Sequence, residues 1–288
     1  MWHTYSFYGK RRKIILFHRY DTANVILIEG EKRILIDPGL KIPPGLNSID
    51  EIWITHCHPD HTRSIKHFSS PVYTHPLARK ILEAPSPPLA LREFELSSVR
   101  EITKNFTRIK ANTINSMAER CYRVFSAPLI TGWRRIKIKG TLEDGEERYG
   151  IKILYLPGHT PDGMGYFLPE EKILISGDIL IGSIIRHSNL YSPSSDIDQA
   201  IYSLEKMLSL SPSIILPGHG RPVFNATHII KGVLRETQRL REKIFSCFNP
   251  EDPWETICCW QRALHPSSSL AARLSSLAVF YRAILQSR

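Results

Sequence analysis

An α/β fold is predicted from three features of the sequence. Apolar runs of strand length recur, helical patterns lie between them, and 288 residues are enough to bury a sizeable core. The runs are "IILF" (14–17), "NVILIE" (24–29), "RILID" (33–37), "EIWIT" (51–55), "IKILYL" (151–156), "KILIS" (172–176) and "SIIL" (213–216). Continuous apolar runs bounded by Gly, Pro and Asp suit strands buried on both faces, where alternation with polar residues is not needed. In "DQAIYSLEKMLSL" (198–210), Ala200, Ile201, Leu204, Met207 and Leu208 recur at helix spacing, and Asp198 is the expected N-cap. Residues 85–150 read as an insertion between two α/β halves, with a helix near 97–124 and then a basic strand, and form a candidate lid. From 226 to 288 helical segments dominate, so the chain is expected to divide into a main domain, 1–225, and a helical C-terminal extension.

Composition narrows the classes. With 42% hydrophobic and 23% charged residues the chain is globular in type, which excludes disordered or collagen-like proteins. There is no apolar run of about 18 residues, and "MWHTYSFYGKRRK" lacks the apolar core and cleavage site of a secretory signal; a cytoplasmic location without membrane contact is expected. The five cysteines (Cys57, Cys121, Cys247, Cys258 and Cys259) show no C-x-x-C spacing, which argues against a disulfide framework or a thiolate zinc site. A net charge of +10 admits an anionic partner such as RNA. The basic stretch "WRRIKIKG" (133–140) equally suits a solvated strand face, because Arg135, Lys137 and Lys139 alternate with Ile136 and Ile138.

The chemistry concentrates in "THCHPDH" (55–61), where His56, His58, Asp60 and His61 follow the strand "EIWIT". Three more ligand-type residues follow strands in the same manner: His159 in "PGHTPDG", Asp178 in "SGD" and His219 in "PGHG". Crevices in open α/β sheets lie at the carboxyl ends of strands, so these four segments can converge on one pocket. Five imidazoles and two carboxylates suit zinc or iron better than calcium or magnesium. Seven donors exceed one tetrahedral ion and fit two ions about 3.5–4 Å apart, with a carboxylate between them.

Taken together in this order, the four motifs resemble those of the metallo-β-lactamase superfamily over roughly residues 20–225, outside the insertion. The resemblance implies a four-layer αββα sandwich. It also implies that His56, His58 and His159 hold one metal ion, that Asp60, His61 and His219 hold the other, and that Asp178 bridges. Where the family commonly has glycines after the first motif, Thr62 and Arg63 stand here, which leaves the approach of the next helix open. Cys57, between two ligands, reads as a packing residue.

The implied activity is hydrolysis by a hydroxide held between two divalent ions, with zinc the expected metal and iron or manganese the alternatives. The implied substrate is an ester, thioester or lactone, as in the glyoxalase II-like branch. Asp60 and Asp178 orient the nucleophile, and Asp60 handles its proton. A single-strand RNA endonuclease is the alternative, favoured by the basic charge, and iron-dependent oxidoreductases share the fold. His187 and Tyr191, after the Asp178 strand, are outlying candidates for the pocket.

Overall fold

The computed structural model describes residues 1–103, 112, 115, 116, 119, 130–182, 188–190, 192 and 194–246. Thirteen strands are described, in two mixed sheets. The first sheet runs in order through β1 (His3–Tyr8), β2 (Lys13–His18), β3 (Val25–Glu29), β4 (Arg33–Ile36), β5 (Glu51–Trp53), β6 (Val72–Thr74) and β7 (Gly140–Thr141). Its first four strands pair antiparallel as consecutive hairpins, and β4 to β7 pair parallel. The second sheet has the order β13-β12-β11-β10-β9-β8, built from β8 (Glu147–Arg148), β9 (Ile151–Tyr155), β10 (Met164–Leu168), β11 (Ile173–Ile181), β12 (Ile214–His219) and β13 (Val223–Phe224). Only β11 and β12 pair parallel in it.

The apolar runs are continuous because each inner strand serves two cores. In β3, Ile26 and Ile28 enter a central cluster between the sheets, whereas Val25 and Leu27 enter a second cluster on the outside. In β11, Ile173 and Ile175 face the same centre and Leu174 faces a third cluster beyond the second sheet. The layers are therefore helix, sheet, sheet, helix: the αββα architecture. At roughly 1.5–3 kcal/mol for each fully buried aliphatic side chain, these three clusters supply most of the drive to fold.

Helices cover the outer faces. On the first sheet lie α1 (Pro59–Thr62), a 3₁₀ segment at Arg63–His67, α2 (Pro76–Leu82) and α3 (Pro87–Thr103). On the second lie α4 (Ile197–Ser209) and α5 (Ala226–Ser246). The N-cap of α4 is Asp196, not the expected Asp198: Asp196 has extended backbone, and its Oδ1 accepts from Asp198 N and Gln199 N, both at 3.0 Å. Asp198 instead sits in the first turn, where its negative charge suits the helix dipole, and pairs with Arg241 of α5. Ala226, Ile230, Val233, Thr237, Leu240 and Ile244 form the buried stripe of α5, stepping by three or four. The apolar members of that stripe pack in the same cluster as Leu204 and Met207 of α4.

Within the expected insertion, α3 begins at residue 87, earlier than 97, and most of 104–129 lies outside the described residues. Its end is scaffold: β7 and β8 are edge strands of the two sheets, and Leu142 lies in the central cluster. The basic stretch forms no strand where one was expected, since β7 begins at Gly140; Trp133, Ile136 and Ile138 are buried and Arg134, Arg135, Lys137 and Lys139 exposed, and the alternation expected of a strand face holds from Arg135 to Lys139. Among the described residues no helix is long and apolar enough to cross a membrane. Of the cysteines, Cys57 is described; it is free and fully buried in the outer cluster of the first sheet. Cys121, Cys247, Cys258 and Cys259, and with them His187 and Tyr191, lie outside the described residues.

Candidate metal centre

All seven donor side chains meet at one end of the sandwich. The segments after β5 and β9, the C-terminal half of β11 and the end of β12 come together there. Three overlapping trios result: His56, His58 and His159; His56, His61 and Asp178; and Asp60, His61 and His219. The ligand atoms within each lie within 4.8 Å of one another. His56 Nε2 lies 3.0 Å from His58 Nδ1, and His159 Nε2 lies 3.4 Å from that atom. On the other side His219 Nε2 is 3.1 Å and His61 Nε2 3.8 Å from Asp60 Oδ2. Between them stands Asp178, with Oδ1 3.4 Å from His61 Nε2 and Oδ2 3.5 Å from His219 Nε2 and 3.8 Å from His159 Nε2.

Four of the five imidazoles have their outward nitrogen engaged, which fixes the ring and turns the other nitrogen inward. His61 Nδ1 lies 2.8 Å from Asp37 Oδ2, and His159 Nδ1 lies 3.2 Å from the Asn189 carbonyl. His58 Nε2 lies 3.2 Å from Glu95 Oε1. His56 Nδ1 is 3.1 Å from Thr55 Oγ1, whose hydroxyl donates to Asp37 Oδ2 at 2.5 Å. Asp37 thus backs two of the seven. Partners of this kind set the tautomer of a ligating histidine and raise its basicity.

The backbone is shaped to admit this crowding. A Cβ on Gly218 would overlap Asp178 Oδ1 and approach His61 Cε1 to 2.9 Å. Gly158, at φ +130, lies against the Ala200 backbone of α4, where a Cβ would come within 2.6 Å of Ala200 N. Thr62, at a position where the resemblance leads one to expect glycine, is buried and donates from Oγ1 to the His58 carbonyl at 2.9 Å. It therefore closes the short helix without entering the centre.

Charge and burial separate a floor from a mouth. His56, His61, His159 and Asp178 are buried, whereas the side chains of His58, Asp60 and His219 remain 18%, 19% and 28% exposed. Burial and the neighbouring His61 and His58 push the His56 pKa well down, and burial holds His159 at about 4. For His61, burial is outweighed by Asp178, Asp37 and Asp60, which raise it well above the usual imidazole value. Asp178 lies well below the ordinary carboxylate range, because His219 and His61 outweigh its burial. The donor set fits divalent metal on an observation independent of motif: His61 Nε2 and Asp178 Oδ1 are buried and face each other without a hydrogen-bond partner among the described residues. Two such orphaned atoms are costly unless a cation satisfies both.

Comparison with known proteins gives the family of the chain. The family model of the metallo-beta-lactamase superfamily matches residues 19–219. The chain belongs to the metallo-beta-lactamase superfamily. Among curated relatives, thioesterase pkgB of Emericella nidulans is 30% identical over 96 residues, 33% of this chain and 26% of that protein. Hydroxyacylglutathione hydrolase GloC of Haemophilus influenzae is 36% identical over 74 residues, 25% of this chain and 34% of that protein. These matches span only a quarter to a third of those relatives. Among solved structures, TTHA1429 of Thermus thermophilus, a metallo-beta-lactamase family protein, aligns over 92% of this chain and 88% of its own, with TM-score 0.61 at 18% identity. TTHA1623 in a di-iron-bound form aligns over 72% of this chain and 91% of its own, with TM-score 0.50 at 27% identity.

Sequence reasoning passes over Asp37, Glu95 and Asp162. Asp37 closes the apolar run 33–37 much as Asp178 comes directly after the run 172–176, and that placement is a readable signal. Asp162, fully buried, accepts from Cys57 N at 2.7 Å and so fixes the backbone between His56 and His58. Glu95 carries no signal, for nothing in "LREFELSS" marks one glutamate of two as buried.

Proposed function

We propose that this chain is a dinuclear metal hydrolase, zinc in type, acting on an ester, thioester or lactone. The observation that carries the reading is the convergence of seven donors around the orphaned pair His61 Nε2 and Asp178 Oδ1. In this reading His56, His58 and His159 hold one ion, Asp60, His61 and His219 the other, and Asp178 lies between. The di-iron form of TTHA1623 supports two metals in this fold and keeps iron among the candidates. When bound, such a pair of ions supplies Lewis acidity: it lowers the pKa of water to about 7 and polarises a substrate oxygen.

The chain's own groups do the rest. Substrate approaches across the mouth formed by His58, Asp60 and His219, since the other four donors are buried. Asp178 stays ionised and orients the attacking water from the floor. Asp60, the more exposed carboxylate, takes the proton of that water on its way to solvent. Asp37 and Thr55 hold His61 and His56 still while this happens, which limits reorganisation during the reaction. The thioester preference is supported by relatives that are a thioesterase and a hydroxyacylglutathione hydrolase, and the lactone and ester by shared carbonyl chemistry.

A second reading, cleavage of single-stranded RNA, draws on the exposed row Arg134, Arg135, Lys137 and Lys139 and the net charge of +10. One experiment separates them: purified protein is assayed for metal content, then with a thioester, a lactone and single-stranded RNA in parallel, wild type beside Asp178→Ala. The expected outcome is two equivalents of metal and thioester or lactone turnover, both strongly reduced in Asp178→Ala. RNA cleavage with steeply salt-dependent binding would replace the substrate assignment. Full activity of Asp178→Ala would remove the site.

A further inference from the structure

The geometry points to Glu95 as a positioning residue for the metal ligand His58, and through it to α3 as a helix latched onto the metal centre. This inference rests on the metal-binding reading above. Among the described residues of α3, Glu95 is the buried acid, 2% exposed beside the buried Leu91 and Leu96. A carboxylate is costly to bury unless its lone pairs are filled, and here four donors fill them. Oε1 accepts from His58 Nε2 at 3.2 Å and Ser194 Oγ at 3.0 Å; Oε2 accepts from Ser192 Oγ at 2.8 Å and Ser194 N at 2.9 Å.

Three parts of the chain meet at that carboxylate. One is His58, whose Nδ1 turns inward toward His56 and His159. Another is α3 itself. The third is the segment around Ser192 and Ser194 that leads into α4; next to it Ser195 Oγ donates to the His159 carbonyl at 2.8 Å. Glu95 therefore fixes the outward edge of one imidazole of the first trio, and its partner Ser194 adjoins a support of another. Loss of such an outer partner typically lowers metal affinity about 10–100-fold. The coupling is reciprocal, because whatever α3 docking adds to metal binding, metal binding must add to α3 docking.

The test titrates Co2+ into metal-free wild type, Glu95→Gln and Ser192→Ala against a chromophoric chelator, and follows hydrogen exchange of the α3 amides with and without metal. Expected is a wild type that binds two ions and slows exchange in α3 when loaded. Glu95→Gln should bind one ion about 10–100-fold more weakly, keep the other unchanged, and lose the metal-dependent protection of α3. Ser192→Ala, which keeps Glu95 but removes one of its donors, should show a smaller loss at the same ion and covers the case in which Glu95→Gln does not fold. Both affinities unchanged in the variants, or both reduced together with a lower melting temperature of the metal-free protein, would overturn the inference and assign Glu95 to structure alone. A wild type that takes up no Co2+ would overturn the metal reading as well, and so is distinguishable from failure of the latch.

Discussion

At the level of single residues, the centre is held by partners that face away from it. Asp37 accepts from Thr55 N, Thr55 Oγ1 and His61 Nδ1, and it adopts φ +49 to do so, in the left-handed region where a non-glycine residue is strained. Replacing Asp37 with Ala leaves His61 buried with no acceptor for Nδ1 and frees Thr55 to rotate. The predicted result is a metal affinity lower by about 10–100-fold, together with a loss of about 1–3 kcal/mol in stability from the unsatisfied donors. Competition with a chelator and urea denaturation of the metal-free protein measure the two effects separately. Wild-type affinity in Asp37→Ala would mean that the imidazoles are placed by packing alone.

At the level of elements, helices α4 and α5 brace the loop that carries His159 and strand β11, which carries Asp178, and their packing is apolar. Leu204 is fully buried in the cluster they share with Ile215 and Ile230, so Leu204→Ala should cost about 2–5 kcal/mol of unfolding free energy through lost burial and a residual cavity. A denaturant midpoint within error of wild type would contradict that packing. A weaker brace ties α4 to the turn before β8. Asp144 accepts from Lys206 Nζ and, at 2.8 Å, from Tyr155 N. Its pKa is lowered, burial opposing and the Lys206 and Tyr155 hydrogen bonds prevailing. A carboxylate with a depressed folded pKa stabilises the fold above its unfolded value of about 4 and loses that contribution as pH falls below it. Melting temperature should therefore drop less steeply below about pH 4 in Asp144→Asn than in wild type, by an amount under about 1 kcal/mol because the pair is solvent-screened. Parallel wild-type and variant curves would remove Asp144 from the acid response.

The same scale shows what a sequence makes legible. Strands buried on both faces, such as β3, β4 and β11, announce themselves as apolar runs, and all seven expected runs form strands; five lie close to their expected bounds, whereas β11 continues to Ile181 and β12 to His219, which places Asp178 and His219 within strands and not after them. The strands β1, β6, β7, β8, β10 and β13 do not stand out. β1 is an edge strand with mostly exposed side chains, β7, β8 and β13 have two residues each, and β10, "MGYFL", carries a glycine that weakens the pattern. The ligand-type residues are legible because metal chemistry needs a narrow set of side chains at strand ends. Glu95 and Asp162 are not, since what sets them apart is burial beside residues 37 and 105 positions away, a tertiary fact with no local signature.

Across the whole molecule, the two sheets are joined where the candidate metal centre lies. Tyr166 of β10 donates to the Ile54 carbonyl at 2.8 Å, Met164 N donates to the Thr55 carbonyl at 2.7 Å, and Asn24 N donates to the Gly218 carbonyl at 2.7 Å. Asn24 Nδ2 adds bonds to the Pro217 and Gly220 carbonyls at 2.9 and 2.8 Å. These ties set "THCHPDH" from one sheet opposite "SGD" and "PGHG" from the other, so a site assembled across a layer boundary has fixed dimensions. The sandwich is in this sense a frame that holds the two proposed sets of ligands at one spacing. The most direct measurement is anomalous X-ray scattering from crystals of the zinc-loaded protein, recorded on either side of the zinc absorption edge. The account predicts two peaks per chain, one among His56, His58 and His159, the other among Asp60, His61 and His219, with Asp178 in contact with both. A single peak elsewhere on the surface, or none, with the seven side chains placed as described, would contradict it.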